Sequence, residues 1–340
     1  MTKYIYIGFA FEHHKDTHGG YHHLANFINY DYKIDCQKEI RFLSSHNLNF
    51  IKKCLRKIIY LILGLKCPFS MLKCLFISFL NKDAVFHVIY GENIFLPLFF
   101  KLKRKRHKVI YTLHQPFEWF EKEKQGMKIL TMPDKIIILS TNEISKFQSI
   151  CGKEKVVYIP HGIYTDYYKP DPQVRKNGSI LMVGNWLRDF DLALNVFKEI
   201  KRQNPSQKIN VVGQPERKDF FKEYVNYYSG ISDEELLKLY QQSSVLYLPL
   251  IRFTANNALL EAASTGCNIL IATNNTNDNT YIPSSELTII DRKSQNNIKA
   301  ILKILQQNFG TNNTLRDYII THYDWKYVSK CIKTLYKEIQ

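Results

Sequence analysis

The sequence predicts an α/β chain of two domains, each built on a parallel sheet, and three observations carry that reading. Its 340 residues exceed the usual length of a single domain. Short continuous apolar runs recur along it, as strands covered on both faces require, with helix-like stretches between them. The segment 245–275 then condenses the pattern into an apolar strand, a polar loop, a short helix, a glycine stop and a second apolar strand. Strand, helix and strand in so few residues make a right-handed crossover, which places the loop and the helix N-terminus at the carboxyl edge of the sheet, where such folds bind ligands.

Hydrophobic residues make up 45% of the chain, charged residues 23% and aromatic residues 14%, a composition that excludes a disordered protein. The seven cysteines, at 36, 54, 67, 74, 151, 267 and 331, form no Cys-x-x-Cys pair and leave an odd total. That argues against a disulfide framework and a zinc knuckle, so a reducing cytoplasm is the expected setting and no metal is expected. Met1-Thr2-Lys3 leads at once into a strand-like run, without the apolar core and cleavage site of a signal peptide. The net charge of +16 is uneven: residues 51–110 hold thirteen Lys or Arg against Asp83 and Glu92, a local excess of +11. Such asymmetry points to a polyanionic partner, nucleic acid or an anionic membrane surface, unless the lysines only solvate helices.

Residues 4–11 read as the first buried strand, 12–21 as a polar loop and 21–30 as a helix with Leu24 and Phe27 facing in. Gly19-Gly20 in that loop allows close backbone approach to a ligand. His13, His14, His18, His22 and His23 crowd it, but the glycine pair breaks their spacing and no cysteine joins them, which favours polar contacts over a metal site. Residues 51–80 contain two apolar runs separated by Lys66, Cys67 and Pro68, each too short to span a bilayer, so two helices are expected. Basic residues interleaved with apolar ones over 51–60 suit either a membrane interface or core-packing helices. Strands are expected at 84–90, 108–113, 135–140 and 156–159, and helices at 93–102 and from Ser140, where an N-cap signature begins. His114 follows the 108–113 strand directly.

Residues 179–183 open the second half as an apolar strand, and Gly184 to Asp189 turn into a helix over 190–202. Arg188 suits a phosphate, because a guanidinium fork matches its oxygens and stays charged; the competing reading is an ion pair with Asp189. Residues 208–212 form a strand ending at Gly213-Gln214, and Val328, Ile332 and Tyr336 give residues 325–339 helical spacing. In the crossover itself, Thr254 or Asn256 can cap the helix over 257–265, and Gly266 supplies the left-handed stop. Free amides at its start suit a phosphate. Asn257, Glu261 and Thr265 share one helix face, while Leu259, Leu260 and Ala263 point to a core. Glu261 is either a solvated helix acid or a ligand-binding group.

Glu261-Ala262-Ala263-Ser264-Thr265-Gly266 resembles the second half of the donor motif of nucleotide-sugar glycosyltransferases of the GT-B fold, in particular the retaining family-four type (glycosyl transferases group 1). That motif is Glu, seven residues, Glu, then Ala-x-Ala-x-Gly; its first glutamate would fall at 253, where this chain has Phe253. Pro160-His161-Gly162-Ile163 with Tyr167-Tyr168-Lys169-Pro170 resembles the family's interdomain crossing, and residues 229–236 resemble its base-reading segment. The resemblance implies two Rossmann-like doubly wound domains facing a cleft. An acceptor domain would span 1–162, a donor domain 163–322, and a C-terminal helix over 323–340 would cross back to the first domain. It assigns Glu261 to the nucleotide ribose, Ile231 to the base, and Gly184, Arg188, Gly213 and the loop Thr254, Ala255, Asn256 and Asn257 to the rest of the donor. His114 would contact the donor sugar or acceptor and join Arg188 in catalysis, and His18, Gly19 and Gly20 would face the acceptor.

The function implied is transfer of a sugar from a nucleoside diphosphate donor to a glycan or lipid-linked glycan acceptor in surface polysaccharide assembly. The enzyme would be a hexosyl- or related transferase, retaining and metal-independent, with the nucleotide sugar as donor substrate and no further cofactor. It would be cytoplasmic and peripheral on the inner face of the membrane. Two alternatives come from other classes: a nucleic-acid-binding or nucleic-acid-modifying protein of the same fold that grips phosphates with its basic half, and a catalytically silent sugar-binding member, which Phe253 favours.

Overall fold

Two six-stranded sheets, parallel at every pairing, organise the chain. A computed structural model describes residues 1–44, 53–54, 67–252, 254–274, 282, 287–307 and 310–340. It divides into two units, Met1–Lys15, Gly20–His161 and Val328–Gln340 in the first, Asp16–Gly19 and Gly162–Tyr327 in the second.

The first unit runs β1 (Lys3–Gly8), β2 (Tyr32–Asp35), α1 (Gln37–Ser44), α2 (Pro68–Leu80), β3 (Ala84–Val88), α3 (Pro97–Leu102), β4 (Lys108–Leu113), α4 (Phe117–Lys122), α5 (Gly126–Thr131), β5 (Lys135–Ile138), α6 (Ile144–Cys151) and β6 (Val156–Tyr158). Its order, β2-β1-β3-β4-β5-β6, reverses direction between β1 and β3. Three expectations need correction. The helix expected over 21–30 is only a 3-10 segment, Tyr21–Asn26, with Leu24 buried and Phe27 half-buried. The helix expected over 93–102 begins at Pro97, whose fixed φ suits a first turn. The edge strand β2 was not foreseen, because Tyr-Lys-Ile-Asp buries only Ile34 and offers no apolar run. Of the expected helix pair over 51–80, α2 is observed, whereas 51–52 and 55–66 lie outside the described residues.

The second unit runs β7 (Ile180–Val183), α7 (Phe190–Gln203), β8 (Ile209–Val212), α8 (Lys218–Phe221), β9 (Asn226–Tyr228), α9 (Asp233–Gln242), β10 (Val245–Pro249), α10 (Asn257–Ser264), β11 (Asn268–Ala272), β12 (Thr288–Ile290), α11 (Ser294–Gln307) and α12 (Asn313–Tyr323). The order β12-β11-β10-β7-β8-β9 puts its reversal between β7 and β10. Alternation along β10 feeds two cores. Leu246 and Leu248 pack with α10 and α12 residues such as Leu259 and Ile319, while Val245 and Tyr247 pack with Phe197 of α7 and Ile301 of α11. Both faces are therefore covered, which explains why the strands read as unbroken apolar runs.

The last helix, α13 (Trp325–Glu338), contributes Val328–Gln340 to the first unit. Its Tyr336 stacks on Tyr4 at 5.1 Å, and the Tyr336 hydroxyl lies 2.6 Å from His87 Nδ1, while His87 Nε2 is 2.7 Å from Thr112 Oγ1. Burial lowers the His87 ring to about 3, so it stays neutral within this polar chain. The expected return of the last helix to the first domain is thus observed, and its anchor is a buried tyrosine–histidine–threonine relay.

Candidate functional site

The reversal between β7 and β10 is the place at which a doubly wound sheet opens a crevice at its carboxyl edge. After β7 the chain turns through Gly184 at φ +97°, a conformation that disfavours other residues, and a Cβ there would lie 3.0 Å from Arg188 Nη2. Leu187 also takes a positive φ, +56°, and its carbonyl accepts the Ile251 N–H at 2.9 Å, tying this turn to the end of β10. Arg188 is held by three acceptors: its Nε donates to the Val183 carbonyl (3.1 Å), Nη1 to the Trp186 carbonyl (3.0 Å) and Nη2 to Asn256 Oδ1 (3.4 Å). Desolvation lowers the guanidinium to about 10, which leaves it charged at neutral pH. The competing pairing with Asp189 does not form. Asp189 caps α7 through the Leu192 N–H at 3.1 Å and pairs with Arg292, leaving the Arg188 charge facing no carboxylate of its own turn.

Asn256, rather than Thr254, caps α10: its Oδ1 accepts the Leu259 N–H at 3.2 Å as well as Arg188. The side chain is buried, and its Nδ2 has no hydrogen-bond partner among the described residues. One guanidinium, one unsatisfied amide donor and a helix N-terminus therefore share a single spot, a donor-rich setting for an anion.

Glu261 sits one turn further along α10. The expectation that this helix shows a polar face is corrected: Ala258 to Ser264 are all buried, because α10 lies between the sheet and α9 and α12, and Glu261 is only 5% exposed. The solvated reading of Glu261 fails with it. Tyr240 of α9 donates its hydroxyl to Glu261 Oε2 at 2.8 Å. Burial pushes the carboxyl up to about 7, with the hydrogen bond from Tyr240 opposing and the Asp233 charge adding to the rise. Asp233 in turn accepts from the Tyr168 hydroxyl at 3.0 Å and from the His18 backbone N–H at 2.8 Å. The His18 ring reaches the same carboxylate at 2.6 Å and stacks on Tyr167 at 3.5 Å.

His18 and Gly19 thus belong with the second unit, whereas Gly20, at φ +100°, belongs with the first. Gly213 follows β8, and a Cβ there would meet the Tyr227 hydroxyl at 2.5 Å and Asn185 Oδ1 at 2.9 Å. Ile231 is half-buried just before Ser232, whose side chain and Glu235 form a reciprocal capping box on α9. Thr254, Ala255 and Asn257 are half-buried around the start of α10, and Phe253 lies outside the described residues. Sequence reasoning missed Tyr240 as the donor to the acid, and the Tyr168–Asp233 pair whose charge lies near it. Only Tyr240's place on the inward side of a capped helix hinted at it.

In the first unit, His114 follows β4 and is not without a partner: its ring Nδ1 lies 3.4 Å from Glu92 Oε1, and its backbone N–H donates to the same oxygen at 3.3 Å. Tyr21, Tyr90 and His161 surround the ring at centroid distances of 5.0, 4.5 and 6.4 Å. A carboxylate this close to an imidazole favours one orientation of the ring, which a directed hydrogen bond to a ligand would need.

Comparison with protein families finds no match, and comparison with curated proteins finds none. Solved structures do match. Sucrose-phosphate synthase from Thermosynechococcus elongatus aligns over 75% of this chain and 73% of its own at a TM-score of 0.60 and 15% identity. HepE from Anabaena, in complex with UDP, aligns over 99% and 100% at 0.66 and 11% identity. Trehalose 6-phosphate synthase from Burkholderia multivorans aligns over 100% and 97% at 0.64 and 10% identity. The chain has the GT-B fold. At such identities the likeness is one of fold, so the chemistry must be argued from the residues.

Proposed function

We propose that this chain is a glycosyltransferase that takes a sugar from a nucleoside diphosphate donor held at the β7–β10 reversal. The observation that carries the reading is the pairing, on one short buried helix, of a donor-rich N-terminus shared by Arg188 and Asn256 with an acid, Glu261, one turn on. Four residues of helix rise about 6 Å, a span that suits a diphosphate at one end and a ribose diol at the other. The diol would donate to the carboxylate, and the departing diphosphate would meet Arg188 and the amides of the 254–257 loop. Catalysis is then mainly positioning and charge stabilisation, which asks for no metal ion. His114, oriented by Glu92, would serve the transferred sugar or the acceptor. HepE is described with UDP, which supports a uridine diphosphate as the first probe. Retention of configuration and a glycan or lipid-linked acceptor in surface polysaccharide assembly complete the proposal by family likeness. A thermal-shift panel of nucleotides and nucleotide sugars tests it: selective stabilisation by one nucleoside diphosphate is expected, since a ligand of the native state raises Tm by mass action. No response to any member of the panel would contradict it.

A second reading concerns location, and α2 favours it. Phe69, Leu72, Phe76, Phe79 and Leu80 are 56–69% exposed on that helix, while Met71, Cys74, Leu75 and Ser78 face the core. Among the described residues no helix is long and apolar enough to cross a membrane. The stripe, with Lys73 on the same helix and Arg104 bound to the Phe79 carbonyl, suits the interface of an anionic bilayer. Sedimentation with anionic but not neutral vesicles, released by salt, is expected. Equal binding to both, or tighter binding to nucleic acid at the same salt, would contradict it.

A further inference from the structure

We propose a metal site in the first unit, formed by the thiolates of Cys36 and Cys67 and the carboxylate of Glu39, and suited to a zinc-class divalent ion. Linear spacing gives no hint of it, since the two cysteines stand far apart and belong to no Cys-x-x-Cys pair. The fold brings them together. One ligand atom from each of the three residues lies within 4.8 Å of the other two. Ligands about 2.0–2.3 Å from a tetrahedral ion sit roughly 3.3–3.8 Å apart, so the cluster closes round an ion with small side-chain movements.

Local structure explains the convergence. The Cys36 N–H donates to the Gly8 carbonyl at 2.8 Å, and the next residue, Gln37, accepts the Ala10 N–H at 2.9 Å. The start of α1 is thereby pinned to the end of β1. Glu39, in the first turn of α1, then reaches the start of α2, where its Oε1 accepts the Phe69 N–H at 2.7 Å and its Oε2 the Ser70 N–H at 3.0 Å. Cys67 immediately precedes α2. Both thiols are buried, at 0% and 1% exposure. The Ser70 hydroxyl also donates to Oε2, so Oε1 keeps the lone pair an ion would use, and donors around a ligating carboxylate are the outer support that metal sites have. The helix N-terminus adds positive potential to a site whose three ligands carry three negative charges when ionised. A helix cap alone would need the carboxylate but not the thiols; soft sulfur ligands with a carboxylate select a zinc-class ion over magnesium or calcium.

The test uses the full chain, stripped of metal under reducing conditions and reloaded with zinc or cobalt(II). About one ion per chain is expected to survive gel filtration, the cobalt form showing an intense sulfur-to-metal charge-transfer band. Cys36→Ser and Cys67→Ser should lose the band and weaken zinc at least about tenfold, and Cys331→Ser should keep both. Glu39→Gln, checked for folding by circular dichroism, gives a second arm, with zinc weakened by a similar factor. Absence of any band in folded wild-type protein, or the same zinc content and band in Cys36→Ser, would overturn the proposal.

Discussion

The carboxyl edges of the two sheets are built differently. At the second, charge is fixed by main chain and buried partners: Arg188 hangs from two carbonyls and Asn256, and Glu261 is gripped by Tyr240. At the first, the His114 ring leans on Glu92 within walls of Tyr21, Tyr90 and His161. Fixed, partly desolvated charge suits a group whose own charge changes during reaction, because it stabilises that change without reorganising. Aromatic walls with one orientable ring suit a neutral polyol, which needs contact area and a directed hydrogen bond. On the proposed reading, the leaving diphosphate would meet the one edge, and sugar or acceptor hydroxyls the other.

The sharpest way to break that division is Arg188→Ala. Turnover should fall by 100-fold to about 1,000-fold, with nucleotide affinity changed far less, because the diphosphate gains charge in the transition state. Steady-state kinetics beside calorimetric binding would check it, and a pure rise in KM would reject the role.

Stability offers the next largest effect. The Glu261 carboxyl is raised from 4.5 to about 7, so the native state holds its proton more tightly than the unfolded chain does. The sign is opposite to that of a salt-bridged acid: the contribution is intact below pH 4.5 and is lost as pH climbs through 7. Ionising it in place costs on the order of 3 kcal/mol. Glu261→Gln should therefore melt higher than wild type at pH 8, converge with it near pH 4.5, and bind nucleotide poorly. Equal melting temperatures across that range would show that the acid is not desolvated.

His114→Ala should lower transfer by about 100-fold while leaving nucleotide affinity unchanged, which would separate the two edges directly. A matching loss of nucleotide affinity would merge them. The smallest expected effect is that of Tyr240→Phe. Removing the hydroxyl takes away a hydrogen bond that favours the Glu261 carboxylate, so nucleotide affinity should fall about threefold at neutral pH and recover at higher pH. A loss that is constant with pH would mean that the hydroxyl acts by packing alone.

Much of this was legible in the residues, for physical reasons. Strands such as β1, β4, β10 and β11 are covered on both faces and show as unbroken apolar runs. Three of the four edge strands, β2, β9 and β12, are three or four residues long and half-exposed, so the same signal is missing, while β6 is still legible from its short apolar run. Gly266, at φ +67°, ends α10 where its residue type said it would. That Glu261 is buried was not legible, because the helices covering α10 come from residues 233–242 and 313–323, and a face that looks polar in one helix can point into another. Tyr240 and Glu261, or Cys36 and Cys67, meet only after the chain has folded.

The central claim is that Glu261 holds the ribose of a nucleotide whose phosphates lie at the start of α10. Isothermal titration of UDP and other nucleoside diphosphates into wild-type protein and Glu261→Ala, at pH 6 and pH 8, tests it most directly. Wild type should bind one of them more tightly at pH 8, where the carboxylate is ionised and can accept from the diol, and the variant should lose about tenfold or more together with that pH dependence. A folded variant with unchanged affinity at both pH values, or no binding of any nucleoside diphosphate to wild type, would contradict it.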